Sequence, residues 1–226
     1  PWLTAHPGVD KVSFTGSTQT GKKVMESAAH SLKRVTLELG GNDPAIVMPD
    51  VDVEKVAEDL FWAAFRNAGQ ICIATKRMYI HKDIYEPLKA AIVAYAKTVK
   101  VGDGAEQGTQ IGPIQNSAQY KRVLELIQDA KPLLKFDNLD EVVGRANDSE
   151  YGLGASIWTS DIARAQEIAT SLQAGTVWIN ESQHLSPHAA FGGFKQSGIG
   201  VEGGQEGVLE FCQAQTVFTR KPQPAA

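Results

Sequence analysis

Hydrophobic and polar positions follow two different periods along the chain. In the first, apolar residues recur every three or four positions, which is the pattern of an amphipathic helix. The clearest such helix has an apolar face made of Val53, Val56, Ala57, Leu60, Phe61, Ala64 and Phe65. Asp50 and Asp52 precede it as candidate caps, and Gly69 is the residue type that most easily forms a left-handed helix end. The pattern therefore predicts a helix that ends just before residues 70–74.

The same helical spacing recurs in five other stretches, and short apolar runs with strand character lie between them. The predicted helices begin after Gly21 (with Val24, Met25 and Ala28 as the apolar face) and cover residues 84–99, 120–127, 139–147 and 161–172. The predicted strands cover residues 9–14, 34–39, 45–48, 77–81, 132–136, 154–159, 176–179 and 215–220, the last as an edge strand. Strands that alternate with helices in this way predict an α/β fold with mainly parallel strands.

Composition and charge narrow the classes of function. The 226 residues are 42% hydrophobic with a net charge of -4, which is typical of a globular chain and gives no basic face for nucleic acid. No apolar run is long enough to span a membrane and no signal peptide is recognisable, while Pro1 opens the chain as if within a longer protein. Cys72 and Cys212 are too far apart in sequence for a close-spaced metal or redox pair, so a reducing, cytoplasmic location is expected.

Cys72 is the first candidate for chemistry. It lies in a predicted tight turn between the helix and the strand at residues 77–81, with an isoleucine on each side. A thiol held at such a turn becomes a strong nucleophile where nearby amides or positive charges favour its thiolate. The alternative from the residues alone is that Cys72 is a small buried hydrophobic residue.

Glu38 is the second candidate, because it lies near the end of a predicted strand. Gly40 and Gly41 follow it directly after one apolar residue. A carboxylate at the point where a strand opens into such a turn can reach a cleft and act there as a general base. The alternative is a solvent-exposed strand residue, which is the usual place for an isolated glutamate.

Two glycine-containing stretches complete the candidate chemistry. Residues 15–21 pass from a strand through a small-residue turn into a helix, which offers amides and a dipole to a phosphate or serves only as a cap. Residues 190–204 combine many glycines with large apolar residues, which predicts a loop packed against backbone or ligand and not a flexible linker. His184 and His188 are separated by a Ser-Pro pair that favours a loop, so no metal site is predicted.

Four motifs in a fixed order give these stretches a common explanation. They are residues 14–17 (FTGS), 37–41 (LELGG), 69–72 (GQIC) and 191–198 (FGGFKQSG). Together they resemble the aldehyde dehydrogenase superfamily over almost the entire chain. The resemblance implies an enzyme that oxidises an aldehyde to a carboxylic acid with NAD or NADP. It also implies an α/β catalytic domain, with a mainly parallel sheet and helices on both faces, and the last part of a Rossmann-like cofactor domain.

The resemblance further implies a role for each matching position. Cys72 corresponds to the nucleophile that forms a thiohemiacetal and, after hydride transfer to nicotinamide, a thioester. Glu38 corresponds to the general base, and the backbone N–H of Cys72 to part of an oxyanion hole. The other positions correspond to cofactor contacts at Gly16 and Ser17 (pyrophosphate) and at Leu39 and Gly40 (nicotinamide), a substrate-channel aromatic at Phe191, and an acidic residue near the water path at Glu202.

The resemblance divides the chain into three parts and marks its departures from the family. Residues 1–41 correspond to the end of the dinucleotide-binding domain and residues 42–205 to the catalytic domain. Residues 206–226 correspond to a C-terminal return with a strand that joins subunits, which implies a homo-oligomer. The first half of the cofactor domain and an internal segment near residues 131/132 are expected to be missing. Binding of NAD or NADP is therefore expected to be weak or lost.

Two alternatives stay open beside the dehydrogenase. Without a positioned nicotinamide, Cys72 and Glu38 could still cleave activated esters as a cofactor-independent thiol esterase. The chain could also be a non-catalytic fragment that associates through its C-terminal strand. The expected partners are a small-molecule aldehyde and further copies of the chain, with neither nucleic acid nor membrane.

Overall fold

The computed structural model describes residues 2–129 and 134–221. Its helices are α1 (Trp2–Ala5), α2 (Thr18–Ala29), α3 (Val53–Phe65), α4 (Tyr85–Ala96), α5 (Ser117–Asp129), α6 (Leu139–Asn147), α7 (Ile162–Ser171) and α8 (Gly204–Leu209). Its strands are β1 (Lys11–Thr15), β2 (Arg34–Glu38), β3 (Asp43–Val47), β4 (Thr75–His81), β5 (Leu134–Phe136), β6 (Tyr151–Gly152), β7 (Gly154–Trp158), β8 (Thr176–Ile179), β9 (Phe194–Lys195) and β10 (Gly198–Ile199). Short 3-10 helices cover Arg66–Gly69 and Lys82–Ile84. The order confirms the predicted alternation of strands and helices.

Five strands form the larger sheet, in the order β5-β4-β3-β7-β8, and every neighbouring pair is parallel. Successive side chains of a strand point to opposite faces. On the central strand, Ala45 and Val47 therefore pack with α3 and α4, while Ile46 packs with α6 and α7. Leu60 of α3 and Leu88 of α4 are completely buried on the first face. Helices cover both faces of a parallel sheet, which confirms the predicted α/β architecture.

A smaller sheet lies beside this one and includes part of the glycine-rich stretch. β1 and β2 are parallel, and β10 joins β2 in the antiparallel direction with Gly198 opposite Glu38. A side chain at Gly198 would collide with the carbonyl oxygen of Leu37. At Gly175 a β-carbon would likewise collide with the carbonyl oxygen of Gly192, and β9 pairs with β6. The glycine-rich stretch is thus a loop packed against backbone, as predicted.

The two sheets meet through opposite edges. Glu38 is the last residue of β2, so it lies at the carboxyl edge of the smaller sheet, whereas Asp43 begins β3 at the amino edge of the larger sheet. Only residues 39–42 join these two strand ends. Thr75 begins β4 directly beside Asp43, so the Cys72 turn that precedes β4 lies at the same amino edge. The candidate residues therefore gather where the edges face each other.

The predicted edge strand at residues 215–220 is wrong for the single chain. Residues 212–221 have no regular structure, and the side chain of Phe218 is 93% exposed. No strand among the described residues lies beside this segment to exchange backbone hydrogen bonds with it. The predicted strand at residues 132–136 is present as β5 over its last three residues. Its first two residues lie outside the described residues.

Two predictions about helices also need correction. Met25 is 47% exposed, because the smaller sheet covers only the side of α2 that carries Val24 and Ala28. Asp52 caps α3 as predicted, with its carboxylate accepting from the backbone N–H of Lys55. Asp50 does not, because its carboxylate accepts instead from the backbone amides that precede α7.

Candidate active site

The turn that carries Cys72 begins with an abrupt change of backbone direction. α3 ends at Phe65, and the next turn places Asn67 (φ 52°), Ala68 (φ 56°) and Gly69 (φ 73°) in the left-handed region. Only glycine adopts this region without strain, so the conformation of Ala68 in particular costs free energy that the surrounding packing must offset. The left-handed conformation predicted at Gly69 is confirmed, and the left-handed segment already begins at Asn67.

Cys72 is exposed, whereas the two residues that follow it, Ile73 and Ala74, are buried. Ile73 packs with Leu153 and Trp178 in an apolar cluster. These contacts anchor the backbone of the turn while the thiol stays accessible, so the alternative of a buried structural cysteine is wrong. Partial desolvation of the sulfur is the largest cause that raises the pKa of the thiol, and the backbone N–H of Ile73 acts in the opposite direction.

Glu38 is a buried acid without hydrogen bonds, not the solvent-exposed strand residue of the alternative reading. The residue is 4% exposed, and neither carboxylate oxygen has a hydrogen-bond partner among the described residues. Burial, followed by the negative charge of Glu202, raises the pKa of Glu38 to about 8. A carboxylate with a pKa in this range is a far stronger proton acceptor than an ordinary glutamate.

Phe191 and Glu202 face each other across the glycine-rich stretch. The backbone N–H of each donates to the carbonyl oxygen of the other at 2.7 Å. Phe191 packs against the apolar cluster that contains Ile73, and the Glu202 carboxylate accepts a hydrogen bond of 3.0 Å from the Ser13 hydroxyl. This backbone pair therefore links the surroundings of Cys72 to the surroundings of Glu38.

Leu39 and Gly40 form the start of the connection from Glu38 to the larger sheet, and Ser197 holds them. Ser197 is completely buried, its hydroxyl donates to the Gly40 carbonyl at 2.6 Å and accepts from the Gly152 amide at 3.0 Å, and its own carbonyl accepts from the Leu39 amide at 2.8 Å. Ser197 has no predicted role from the sequence, where its only signal is that it is a small polar residue inside the glycine-rich motif.

Gly41 completes the connection between the two candidate catalytic residues. A β-carbon at this position would lie closer than 3.0 Å to the carbonyl oxygen of Cys72 and to the carboxylate of Asp43. Only glycine lets the chain pass at this distance. The structure thus brings the chain that leads from Glu38 into direct contact with the backbone of Cys72.

Gly16 and Ser17 lie at the start of α2, next to the end of β2. The Gly16 amide donates to the Glu38 carbonyl oxygen at 3.0 Å, and the Ser17 hydroxyl caps α2 by accepting from the Thr20 amide. The first turn of α2 contains no acidic residue. A helix N-terminus carries a partial positive charge, and one without a repelling carboxylate fits the anionic pyrophosphate of a dinucleotide.

The described residues show neither a metal cluster nor a membrane helix. Within residues 2–129 and 134–221, no three His, Cys, Asp or Glu side chains come together as metal ligands would. None of the helices in the same ranges is long and apolar enough to cross a membrane. The fold and the site together define an α/β protein with an exposed thiol and a buried carboxylate at the junction of two sheets.

Known proteins are similar to this chain in sequence and in fold. A sequence model described as the aldehyde dehydrogenase family matches residues 2–133 and 131–217. An aldehyde dehydrogenase from Enchytraeus buchholzi is 37% identical, with 97% of this chain and 53% of the relative covered. The crystal structure of an NAD-dependent aldehyde dehydrogenase from Sinorhizobium meliloti superposes with a TM-score of 0.93 and 30% identity, covering 99% of this chain and 53% of that one. The crystal structure of betaine aldehyde dehydrogenase from Staphylococcus aureus, in complex with NAD+, superposes with a TM-score of 0.86 and 29% identity. The match covers 92% of this chain and 51% of that one.

The chain belongs to the aldehyde dehydrogenase family, which confirms the resemblance drawn from its four motifs. It spans about half the length of the curated relatives it matches. The esterase and the non-catalytic fragment are not favoured, because the relatives named above are all dehydrogenases.

Proposed function

We propose that the chain carries the catalytic part of an enzyme that oxidises an aldehyde to a carboxylic acid with NAD or NADP. The observation that supports this most is the short connection from the buried carboxylate of Glu38 to the backbone of Cys72 through Gly41. A nucleophile and a general base held by one rigid connection can act on the same bound group. Membership of the family makes aldehyde oxidation the reaction that this pair serves.

Cys72 is the nucleophile in this proposal. Its thiolate attacks the aldehyde carbonyl to give a thiohemiacetal, and its backbone N–H stabilises the negative oxygen that forms. Glu38 first accepts the proton of the thiol and later that of the water which hydrolyses the thioester. Because the pKa of Glu38 is about 8, its proton-accepting form gains population as the pH rises through neutrality.

The proposed cofactor is NAD or NADP, with its pyrophosphate at Gly16 and Ser17 and its nicotinamide near Leu39 and Gly40. A nicotinamide held there would supply the acceptor for the hydride that leaves the substrate carbon. The start of α2, whose first turn has no acidic residue, supports the first contact, and the hydrogen bonds of Ser197 to the backbone at Leu39 and Gly40 support the second. The complex of the Staphylococcus aureus relative with NAD+ also supports this choice.

The remaining parts of the proposal concern the substrate path and the assembly. Phe191 lines the channel for a small-molecule aldehyde, and Glu202 lies on the path of the hydrolytic water. Residues 1–41 complete a cofactor domain, residues 42–205 form the catalytic domain with a gap near 131/132, and residues 206–226 join subunits of a cytoplasmic homo-oligomer. The family match in two segments that meet at residues 131–133 supports the gap, and the exposed Phe218 supports a subunit contact.

Calorimetric titration with NAD and with NADP, followed by an aldehyde oxidation assay, tests this function. We expect weak but saturable binding of one cofactor, and aldehyde-dependent reduction of it that Cys72→Ala abolishes without changing the binding. Cofactor reduction that persists in Cys72→Ala would overturn the assignment of the nucleophile. Absence of cofactor binding, together with Cys72-dependent hydrolysis of an activated ester, would instead assign the chain to the thiol esterases.

A further inference from the structure

One ammonium group holds the turn that carries Cys72. The Nζ atom of Lys76 lies 2.9 Å from the carbonyl oxygen of Ile71, 3.2 Å from that of Ala74 and 3.5 Å from that of Cys72 itself. An ammonium group has three N–H donors, which matches these three acceptors. Lys76 therefore fixes the backbone on both sides of the thiol and brings a positive charge close to it.

A buried carboxylate lies near the same turn. Asp43 is 3% exposed, and neither of its carboxylate oxygens has a hydrogen-bond partner among the described residues. Its Oδ1 atom and the carbonyl oxygen of Cys72 each lie less than 3.0 Å from the point where a β-carbon of Gly41 would be, so both atoms border the same small space beside Gly41. A buried acid whose oxygens lack hydrogen-bond partners costs free energy, so its place beside the turn calls for a functional explanation.

Among the described residues, the charged groups that act on the pKa of the Cys72 thiol come from two strands. β3 contributes Asp43 and β4 contributes Lys76, and these are the two charged groups that shift the pKa of the thiol, upward and downward respectively. The guanidinium of Arg77 is turned away from the thiol, towards the carbonyl oxygens of Asn42 and of α6. The apolar neighbours of the turn are Leu153, Trp178 of β8 and Phe191 of the glycine-rich stretch.

We propose that Lys76 and Asp43 are positioning residues that together set the reactivity of Cys72, the first by holding the turn and supporting the thiolate, the second by opposing it. This inference rests on the proposed role of Cys72 as nucleophile. Asp43 adds to desolvation in favouring the protonated thiol at rest, and Lys76 keeps the turn in the shape in which the sulfur is accessible. No proton passes between either residue and the substrate.

The rate of alkylation of Cys72 by iodoacetamide, measured against pH, tests the proposal directly. All variants carry Cys212→Ser, so that the second exposed thiol does not react. We expect Lys76→Met to move the alkylation midpoint to higher pH and to slow the reaction at pH 7 by roughly three- to tenfold. Asp43→Asn is expected to move the midpoint to lower pH and to speed the reaction at pH 7. Lys76→Arg, which keeps the charge, is expected to restore most of the normal profile.

Lys33→Met is the matched control. Lys33 also donates to two backbone carbonyl oxygens, those of His6 and Val9, but it lies in the smaller-sheet region away from the Cys72 turn. Its variant should keep the normal alkylation profile. A general loosening of the fold would shift the alkylation midpoints of Lys76→Met and Asp43→Asn in the same direction, towards the midpoint of a free thiol. That result would overturn the proposal. An unchanged profile in Lys76→Met would overturn it as well.

The alkylation needs no cofactor and no aldehyde, so the two proposals fail separately. Loss of NAD binding leaves the expected alkylation shifts intact. Normal alkylation in every variant leaves the dehydrogenase function intact and removes only the role of Lys76 and Asp43.

Discussion

Glu38 and Asp43 lie five residues apart, and both are acids buried where the two sheets meet. Glu38 ends a strand of the smaller sheet and Asp43 begins a strand of the larger one. Neither has a hydrogen bond among the described residues, and burial is the largest cause of a raised pKa in both, about 8 for Glu38 and about 7 for Asp43. The two acids are alike in that burial removes both carboxyl groups from water and raises the pKa of each.

Their charged neighbours differ in sign, and this difference separates their roles. Glu38 faces the negative Glu202, which raises its pKa further. At Asp43 the backbone N–H of Gly154, which lies near the carboxylate without forming a hydrogen bond of good geometry, and then the positive Lys76 and Arg77 oppose part of the effect of burial. A carboxylate beside a like charge holds its proton more tightly and suits proton transfer. A carboxylate beside positive charges ionises more readily, and its negative charge then acts electrostatically on neighbouring groups such as the Cys72 thiol.

The largest expected difference between the two acids concerns hydrolysis of the acylated Cys72. Glu38→Gln should slow this step by about 100-fold or more, because a general base contributes at least that much. Asp43→Asn should alter how fast Cys72 is acylated and leave the hydrolysis of the acyl-enzyme at its normal rate. Burst and steady-state rates with an activated ester separate the two steps. Equal loss of hydrolysis in both variants would show that the two acids share one role.

The next difference is in the pH dependence of stability. The folded protein binds a proton at Glu38 more tightly than the unfolded chain, so the free energy of unfolding falls as the pH rises from the ordinary value of 4.5 to about 8. Glu38→Gln removes this loss and should stabilise the protein at pH 9 by on the order of 2 kcal/mol, allowing for solvent screening, and by nothing at pH 4. For Asp43→Asn the window runs from 3.8 to about 7. Urea denaturation at a series of pH values measures both, and a variant effect that is independent of pH would contradict the assignment.

A third prediction concerns the connection between the two acids. Ser197→Ala removes the hydrogen bonds to Gly40 and Gly152 while it keeps the backbone contact to Leu39, and it should lower the free energy of unfolding by about 1–3 kcal/mol. Ser31→Ala, at an exposed position, is the control and should leave stability unchanged. Chemical denaturation at one pH is sufficient, and equal stability of the two variants would contradict the role of Ser197 in holding the connection.

The periodicity of apolar residues was sufficient to predict the larger sheet and its helices, because burial on two faces leaves a strong pattern in the sequence. The chemistry of the site was predicted only as four short motifs. Periodicity reports which face of an element is covered, and it does not report what lies beside a strand end. The burial of Glu38, the role of Ser197 and the presence of Asp43 beside Cys72 depend on contacts between segments far apart in the chain. The prediction of an edge strand at residues 215–220 was wrong for a related reason, because a strand also needs a neighbouring strand with which to form hydrogen bonds.

The smallest expected effect separates the neighbours of the two acids. Glu202→Gln removes the like charge near Glu38 but keeps an oxygen that can accept from the Ser13 hydroxyl, so the geometry is preserved. It should lower the pKa of Glu38 by less than burial raises it, because burial is the larger cause. Lys76→Met should act in the opposite direction at Asp43 and raise its pKa, since a favourable positive charge is lost. The pH midpoint of acyl-enzyme hydrolysis reports the first change and the pH midpoint of stability the second, with Glu206→Gln as an exposed control. Shifts of the same sign at both acids would mean that desolvation alone governs them, and that the charge of their neighbours does not distinguish one from the other.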